Sequence, residues 1–180
     1  MKNKIQKKQI FLKQLTIKNY SKKYLNWMND KKISEFTEQK LLKQNKKRII
    51  EFICTKKKSK KDFLYGIFIK GVEKFEDNLL HVGNIKLGPI NFYHKNAFIS
   101  YFVGDRNFWG MNIATIAIEK ALVIAKKKFK IKKILACTYK NNVGSMKVLK
   151  KNGFLIEAEF KKHLIYKNKR VNEIFYAKFI

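Results

Sequence analysis

Phe102-Val103-Gly104-Asp105-Arg106-Asn107-Phe108-Trp109-Gly110-Met111-Asn112-Ile113-Ala114-Thr115 is the stretch on which the reading of this chain turns. It runs from a strand end through a tight turn into a helix start. Ile99 to Val103 are mostly β-branched or aromatic, which suits a buried strand. Gly104, Asp105 and Asn107 are turn residues. Ile113 to Ala125 is almost wholly apolar, broken by Glu119 and Lys120, as in a helix packed on a sheet. The first turn of such a helix leaves backbone N–H groups without intrahelical partners. At the positive end of the helix dipole, those donors suit a phosphate or pyrophosphate. Gly110, Asn112 and Ala114 are small or turn-tolerant and would let phosphates approach the backbone. Taken alone, the same loop also reads as an ordinary strand-to-helix connection.

Two later motifs change the weight of that reading. Asn142-Val143-Gly144-Ser145 opens a short helix, and Lys151-Asn152-Gly153-Phe154 closes it. With Trp109-Gly110-Met111-Asn112-Ile113-Ala114-Thr115 they resemble the GNAT acyltransferase family, and within it the RimJ/RimL-like branch. That pattern has a W-G-x-G-x-A-T loop, then N-x-x-S, then a helix ending on G-F. The resemblance is close from about Val82 to the C-terminus and looser before it. It implies an α/β (α+β) mixed sheet, GNAT-like, mostly antiparallel and splayed, flanked by helices.

The resemblance also implies the ligand, acetyl-coenzyme A as cosubstrate. Its pyrophosphate would lie on the backbone N–H groups of Gly110, Met111, Asn112, Ile113, Ala114 and Thr115, behind Trp109. The strand edge at Phe102-Val103 would pair with the pantetheine arm. In the family this strand bulges and splays from the next, and a freed donor there could polarise the thioester carbonyl. Asn142 would hydrogen-bond near the thiol or pantetheine, and Ser145 would return a proton to the thiolate. Both also read as a helix cap.

Three positions depart from the family pattern. Asn112 stands where a motif glycine is usual, and asparagine is the best substitute in a left-handed conformation. Ile116 stands at a glutamate position of the branch and reads as packing. Leu149 stands where many members carry a tyrosine acid, which is why Ser145 is the candidate here. The attacking amine also needs a base. Glu35, Glu38, His81, His94, Tyr101 and Asp105 are the candidates, and a water chain is the alternative.

The chain has 180 residues, 46% of them hydrophobic, which suits one domain spanning 1–180. It carries 42 Lys+Arg against 13 Asp+Glu, a formal charge of +29, and its only arginines are Arg48, Arg106 and Arg170. Such a balance attracts anions. Abundant Lys, Asn and Ile also fit a compositional bias, and lysines spread along the sequence argue against dedicated nucleic-acid binding. Cys54 and Cys137 read as reduced core thiols. His81, His94 and His163 show no metal-ligand spacing, so no metal is expected. No signal peptide or membrane span is evident, and a cytoplasmic protein is expected.

The remaining elements follow from pattern. Gln9–Leu15, Phe63–Ile69, Leu79–Leu87, Ala97–Val103, Lys132–Tyr139, Phe154–Phe160 and Val171–Phe179 read as strands. Gly88-Pro89 is expected to break or end the third, and Lys161–Arg170 to join the last two. Helices are expected to about Met28 from a cap at Asn19 or Ser21, from Lys43 to Thr55, and from Ser145 to Lys151. Ile33–Leu42 is ambiguous, while Lys56–Lys61 and Gly71–Asn78 read as loops.

The resemblance implies a primary-amine acceptor, of a small molecule or of a protein N-terminus. The aromatic and lysine content of Tyr20–Gln39 favours an amino-sugar nucleotide or other small anionic acceptor, with lysines meeting a diphosphate. A RimJ/RimL-like N-terminal acetyltransferase of a (ribosomal) protein is the alternative. A non-catalytic ligand- or nucleic-acid-binding protein on the same fold is a second. A homodimer is left open.

Overall fold

In the computed structural model, which describes residues 6–70 and 79–180, one seven-stranded sheet carries the chain. Its strands are β1 (Ile10–Gln14), β2 (Phe63–Lys70), β3 (Leu79–Asn91), β4 (Asn96–Val103), β5 (Lys133–Tyr139), β6 (Leu155–Tyr166) and β7 (Lys169–Phe179). The spatial order is β1-β2-β3-β4-β5-β7-β6, and only the β4–β5 pair is parallel. The helices are α1 (Lys22–Asn29), α2 (Lys46–Lys58), α3 (Ile113–Phe129) and α4 (Val143–Lys151). This is the mixed, mostly antiparallel sheet that the sequence predicts.

Alternation along β2 explains the two helical layers. Tyr65, Ile67 and Ile69 join the cluster that buries Ile113, Ala117, Ala121 and Ala125 of α3 and Leu149 of α4. Leu64 and Phe68 join a second cluster with Tyr24 and Trp27 of α1 and Ile49 and Ile53 of α2. A strand buried on both faces reads as a continuous apolar run, as Phe63–Ile69 does.

Three of the four helices start on a side-chain cap. Ser21 Oγ accepts from Tyr24 N at 3.1 Å, Asn45 Oδ1 from Arg48 N at 2.9 Å, and Asn142 Oδ1 from Ser145 N at 3.1 Å. α3 is the exception. Its preceding residue, Asn112, is left-handed at φ 64° and gives no side-chain cap.

Several expected boundaries move. α2 starts behind its cap at Asn45 and runs to Lys58, so half of the expected 56–61 loop is helix; Phe52, expected on its inner side, is exposed. β3 continues past Gly88-Pro89 to Asn91, because the pair is absorbed as a bulge and pairing resumes at Ile90↔Ala97. The segment expected to join the last strands is itself mostly strand. β6 and β7 meet at Lys167 and Asn168, both at positive φ, as a two-residue hairpin. β6 is largely exposed, so it has no apolar alternation to read. Ile33–Leu42 is turns and one short 3-10 helix at Glu38–Leu41. The predicted 71–78 loop lies outside the described residues. Neither cysteine is in the core: Cys54 is half-buried and Cys137 exposed, both as free thiols.

No helix among the described residues is long and apolar enough to cross a membrane. Gly104 lies against the face of the Trp27 indole, and a methyl group there would collide with the ring. Gly104→Ala is therefore expected to lower stability by about 1–3 kcal/mol through overpacking. Gly144→Ala, whose new methyl group meets only a 3.8 Å contact, is expected to be neutral or to stabilise by up to about 1 kcal/mol. Urea unfolding followed by tryptophan fluorescence separates the two; equal midpoints would remove the Trp27 contact as a constraint.

Candidate active site

β4 and β5 pair over only three residues, Asn96–Phe98 against Lys133–Leu135. Beyond that point the ladder ends, and a cleft of about 1470 Å³ opens between Ile99–Val103 and Ala136–Tyr139. The N-terminal turns of α3 and α4 and the segment Ile33–Glu38 complete its walls. The splay expected from the sequence is thus present. The expected bulge in its first strand is not: the register shifts fall in β3, opposite Ile67/Phe68 and at Leu87/Ile90.

Hydrogen-bond alternation decides which backbone groups face the cleft. Gly104 N donates to Val82 O at 2.8 Å, and Val103 stands opposite Gly83. The Asn84↔Phe102 pair is then bonded across β3–β4, whereas Tyr101 and Val103 turn their N–H and C=O groups toward β5. Of the predicted Phe102-Val103 edge, Val103 offers its backbone to the cleft. Phe102 contributes its ring to the wall instead, edge-on to Trp27 at 6.4 Å. Trp109 Nε1 donates to Val103 O at 2.7 Å and so pins the following loop to the strand end.

The predicted loop residues Trp109 to Thr115 all line the cleft. Gly110 has φ 79°, and a Cβ built there meets nothing within 4 Å, so that side of the loop is open. Asn112 takes the left-handed conformation expected of it. None of the N–H groups of Gly110, Asn112, Ile113, Ala114 and Thr115 donates to a backbone oxygen among the described residues. With no side-chain cap on α3, these donors remain available to an anion. Ile116 is buried, as its packing assignment requires.

Asn142 and Ser145 both line the cleft. Asn142 is the cap of α4. Ser145 Oγ lies 2.9 Å from the Tyr101 hydroxyl, which also donates to Ser145 O at 3.3 Å. Burial pushes the Tyr101 phenol up to about 12, against a lowering by the Ser145 hydrogen bond, so it holds its proton at neutral pH. Tyr101 was a base candidate from sequence; a protonated phenol is a donor. Leu149, at the family's tyrosine position, is fully buried in the core.

The other base candidates separate. Glu35 and Glu38 line the cleft; Tyr166 donates to Glu35 at 2.6 Å and Tyr139 to Glu38 at 3.3 Å. Asp105 receives Asn107 N and pairs with Lys23 at 2.6 Å, holding the turn. His94 is exposed on the β3–β4 hairpin, away from the cleft. His81 is packed among Tyr24, Trp27 and Phe68. Its Nε2 faces two acceptors, Asn84 Oδ1 at 2.8 Å and Gly83 O at 3.0 Å, so that nitrogen carries the proton.

Sequence reading missed three residues of the cleft wall. Glu173 of β7 faces Cys137 of β5, and its side chain is only 13% exposed. Desolvation by the cleft walls, reinforced by Glu173, pushes the Cys137 thiol up to about 12. Asn84 is buried in the wall with Nδ2 unpartnered among the described residues. Alternation on the final strand pair was the available signal for Glu173; nothing local marks Asn84. No group of three His, Cys, Asp or Glu among the described residues could hold a metal.

The cleft and fold have known counterparts. Residues 9–155 match the acetyltransferase (GNAT) domain, and the chain belongs to that family of N-acetyltransferases. No curated protein sequence matches it. The microcin C7 self-immunity acetyltransferase MccE, solved in complex with acetyl-CoA and AMP, is 22% identical, with a TM-score of 0.78 over 96% of this chain and 93% of its own. RimL, the ribosomal L7/L12 alpha-N-protein acetyltransferase, solved with coenzyme A, is 15% identical, with a TM-score of 0.81 over 96% and 94%. Spermidine N-acetyltransferase from Vibrio cholerae, solved with CoA and spermine, is 15% identical, with a TM-score of 0.79 over 96% of each chain. At these identities the likeness is one of fold.

Burial lowers the pKa of His81 below its ordinary 6.5, against the raising effects of Asn84 and Gly83. The unfolded chain then binds this proton at a higher pH than the native protein does. Stability from the neutral ring is whole above pH 6.5 and is lost as pH falls toward the lowered native value. The melting temperature should fall from pH 7 to pH 5, and His81→Gln should flatten that part of the profile. Identical profiles would remove His81 as the source.

Proposed function

We propose that the chain acts as a single domain that transfers the acetyl group of acetyl-CoA to a primary amine through the β4–β5 cleft. The observation that carries this reading is the parted strand pair, which opens onto the uncapped α3 N-terminus on one side and the Ser145–Tyr101 hydroxyl pair on the other. The backbone N–H groups of Gly110 and of Asn112 to Thr115 receive the pyrophosphate, whereas Met111 N, expected to join them, donates to Phe108 O at 3.4 Å. Lys147 and Lys151, one turn apart on α4 and both in the wall, meet the remaining phosphate charge. Val103 and Tyr101 present the edge that pairs with pantetheine.

The amine nitrogen attacks the thioester carbonyl, and an edge N–H polarises the oxygen as charge develops there. Collapse of the adduct breaks the C–S bond. The thiolate takes the Ser145 Oγ proton, Ser145 takes the Tyr101 proton in the same movement, and cleft water returns a proton to the phenol. The amine's proton leaves to Glu173, directly or through water. Glu35 and Glu38 accept tyrosine hydroxyls and serve to attract the acceptor; Glu173 lies beside the Cys137 thiol with His163 Nε2 at 3.6 Å.

The acceptor end favours a cationic amine, as in the RimJ/RimL-like branch. Three carboxylates, Glu35, Glu38 and Glu173, line the cleft beside Lys32 and Lys86, in a chain with only 13 acidic residues. Lys40 gives an internal measure of what the site tolerates. Its ammonium lies 4.6 Å over the Tyr139 ring and 3.1 Å from both the Tyr139 hydroxyl and Glu35 O. This supports a peptide N-terminus over an amino-sugar nucleotide. The second reading rests on the Phe36–Tyr166 stack, 5.2 Å between centroids, against which a nucleobase could lie. It is the arrangement to weigh beside MccE, which was solved with AMP. A cytoplasmic setting follows from the cosubstrate.

Calorimetric titration with acetyl-CoA at two salt concentrations tests the cofactor, and thiol release with basic peptides or amino-sugar nucleotides tests the acceptor. One-site binding that survives salt is expected, with turnover on peptides; turnover on sugar nucleotides alone would reverse the acceptor assignment. Gly110→Trp should weaken binding at least tenfold (about 1.4 kcal/mol) while Gly110→Asn should not, and equal affinities would remove the loop from the site.

Ser145→Ala should lower kcat by about 10²-fold, within the usual range for a lost acid, with acetyl-CoA affinity unchanged. Tyr101→Phe should lower it by less, since a hydroxyl relay to water persists. Glu173→Gln should depress kcat/KM. A normal turnover number in Ser145→Ala would move the acid elsewhere.

A further inference from the structure

The fold gathers at one end of the molecule two lysine runs that lie far apart in sequence. Positions 56–61 hold five lysines in six residues, and positions 126–133 hold six in eight. The first run ends α2 and enters β2; the second ends α3 and enters β5. They meet because Phe63 packs on Phe129 with centroids 4.3 Å apart. The β3–β4 hairpin lies between them: Ile90 N donates to Lys61 O at 2.8 Å, and Lys132 N to Lys95 O at 2.7 Å. Two of these eleven lysines are ion-paired, Lys56 with Asp62 at 3.4 Å and Lys133 with Glu157 at 2.7 Å. The other nine are exposed and have no ion pair among the described residues.

The same hairpin carries exposed aromatic side chains at its tip. Tyr93 is 88% exposed and Phe92 48%, with His94 edge-on to Tyr93 at 4.9 Å. Lysines in the last turns of α2 and α3 are accounted for by the helix dipoles. Lys60, Lys61, Lys95, Lys130 and Lys132 lie outside any helix, and neither they nor the tyrosine are explained that way. α3 is about 25 Å long at 1.5 Å per residue, so this end stands well away from the cleft at its N-terminus.

We propose that this lysine-rich end binds single-stranded RNA, with the phosphates on the two runs and a base stacked on Tyr93. Unpaired charge on several elements around an exposed ring is the combination by which single strands are held without sequence readout. Among nucleic acids, RNA presents such unpaired bases most often. Two rings at one hairpin tip offer little apolar area for insertion into lipid, whereas one ring suffices for one base.

Fluorescence anisotropy with a short, unstructured, labelled RNA, over a series of salt concentrations, tests the proposal. Replacing Lys126, Lys127 and Lys128 with Gln should weaken binding at least tenfold. It should also flatten the log–log salt slope by about 2, at roughly 0.7 per lost phosphate contact. Tyr93→Ala should weaken binding by about tenfold, the scale of one lost base stack, without changing the slope. The control Lys18, Lys22 and Lys43→Gln, equal in net charge, should bind nearly as the parent does. Thermal melts establish that each variant is folded, and acetyl transfer to a free acceptor should be unchanged by the Lys126–Lys128 substitutions. Absence of binding, equal loss in the control, or an inert Tyr93→Ala would overturn the proposal. So would tighter, Tyr93-dependent binding to phosphatidylserine vesicles than to RNA.

Discussion

The early end of the β4–β5 ladder is the constraint on which the rest of the molecule depends. A parallel pair inside a sheet ordinarily satisfies its backbone groups along its whole length, and unpaired N–H and C=O groups are costly when dry. Here the pairing stops after Phe98, and the backbone of Tyr101 and Val103 faces an open cleft. One of those groups, Val103 O, is taken by the Trp109 indole. The others are held open because both flanking halves are anchored elsewhere. β4 is locked to β3 with α3 across it, and β5 is locked along its full length to β7. The cleft is thus made by two rigid bodies that share three residue pairs.

The same separation sets the chemistry. Where β5 leaves β4, its Cys137 and the Glu173 of the neighbouring strand become wall residues, although both belong to a sheet interior by sequence position. The start of α4 is brought against Tyr101 of β4 from the other side. A buried phenol with a raised pKa keeps its proton at neutral pH and can relay it only through a hydroxyl in contact with it. Ser145 Oγ is the hydroxyl in contact with it, while Asn142 supplies the cap that the first turn of α4 requires; the relay is the proposed one. Had Ser145 been the cap, its lone pairs would have pointed at the helix backbone and away from the cleft.

What was legible in the sequence follows from how local its cause is. The strand–turn–helix course of Phe102–Thr115, the left-handed Asn112 and the core position of Ile116 depend on neighbours in the chain and read correctly, while the caps at Ser21 and Asn142 were each one of two readings left open. The strand through Gly88-Pro89 did not read, because a bulge in β3 is defined by its partner strand. The β6–β7 hairpin did not either, because an exposed edge strand has no buried face to impose alternation. The cysteines were misread for a related reason: β5 is apolar in pattern, but the parting of β4 uncovers Cys137. Phe102 and Val103 share one sequence signal and have opposite backbone directions, which only the register against β3 decides. His81 and Asp105 carried the right chemistry for a base and are held in structural bonds instead.

Charge shows most clearly what composition alone leaves out. A formal +29 implies an anionic partner everywhere and nowhere in particular. In space the charge is sorted. Carboxylates on Ile33–Glu38 and β7 line the cleft among a similar number of lysines, while the ends of α2 and α3 and the β3–β4 hairpin collect lysines with few counter-ions. At physiological ionic strength the screening length is about 8 Å, far shorter than the ~25 Å length of α3. The two ends are therefore electrostatically independent. On the proposed reading, the lysine-rich end can concentrate a polyanion without repelling a cationic amine from the cleft, where Glu35, Glu38 and Glu173 stand among lysines.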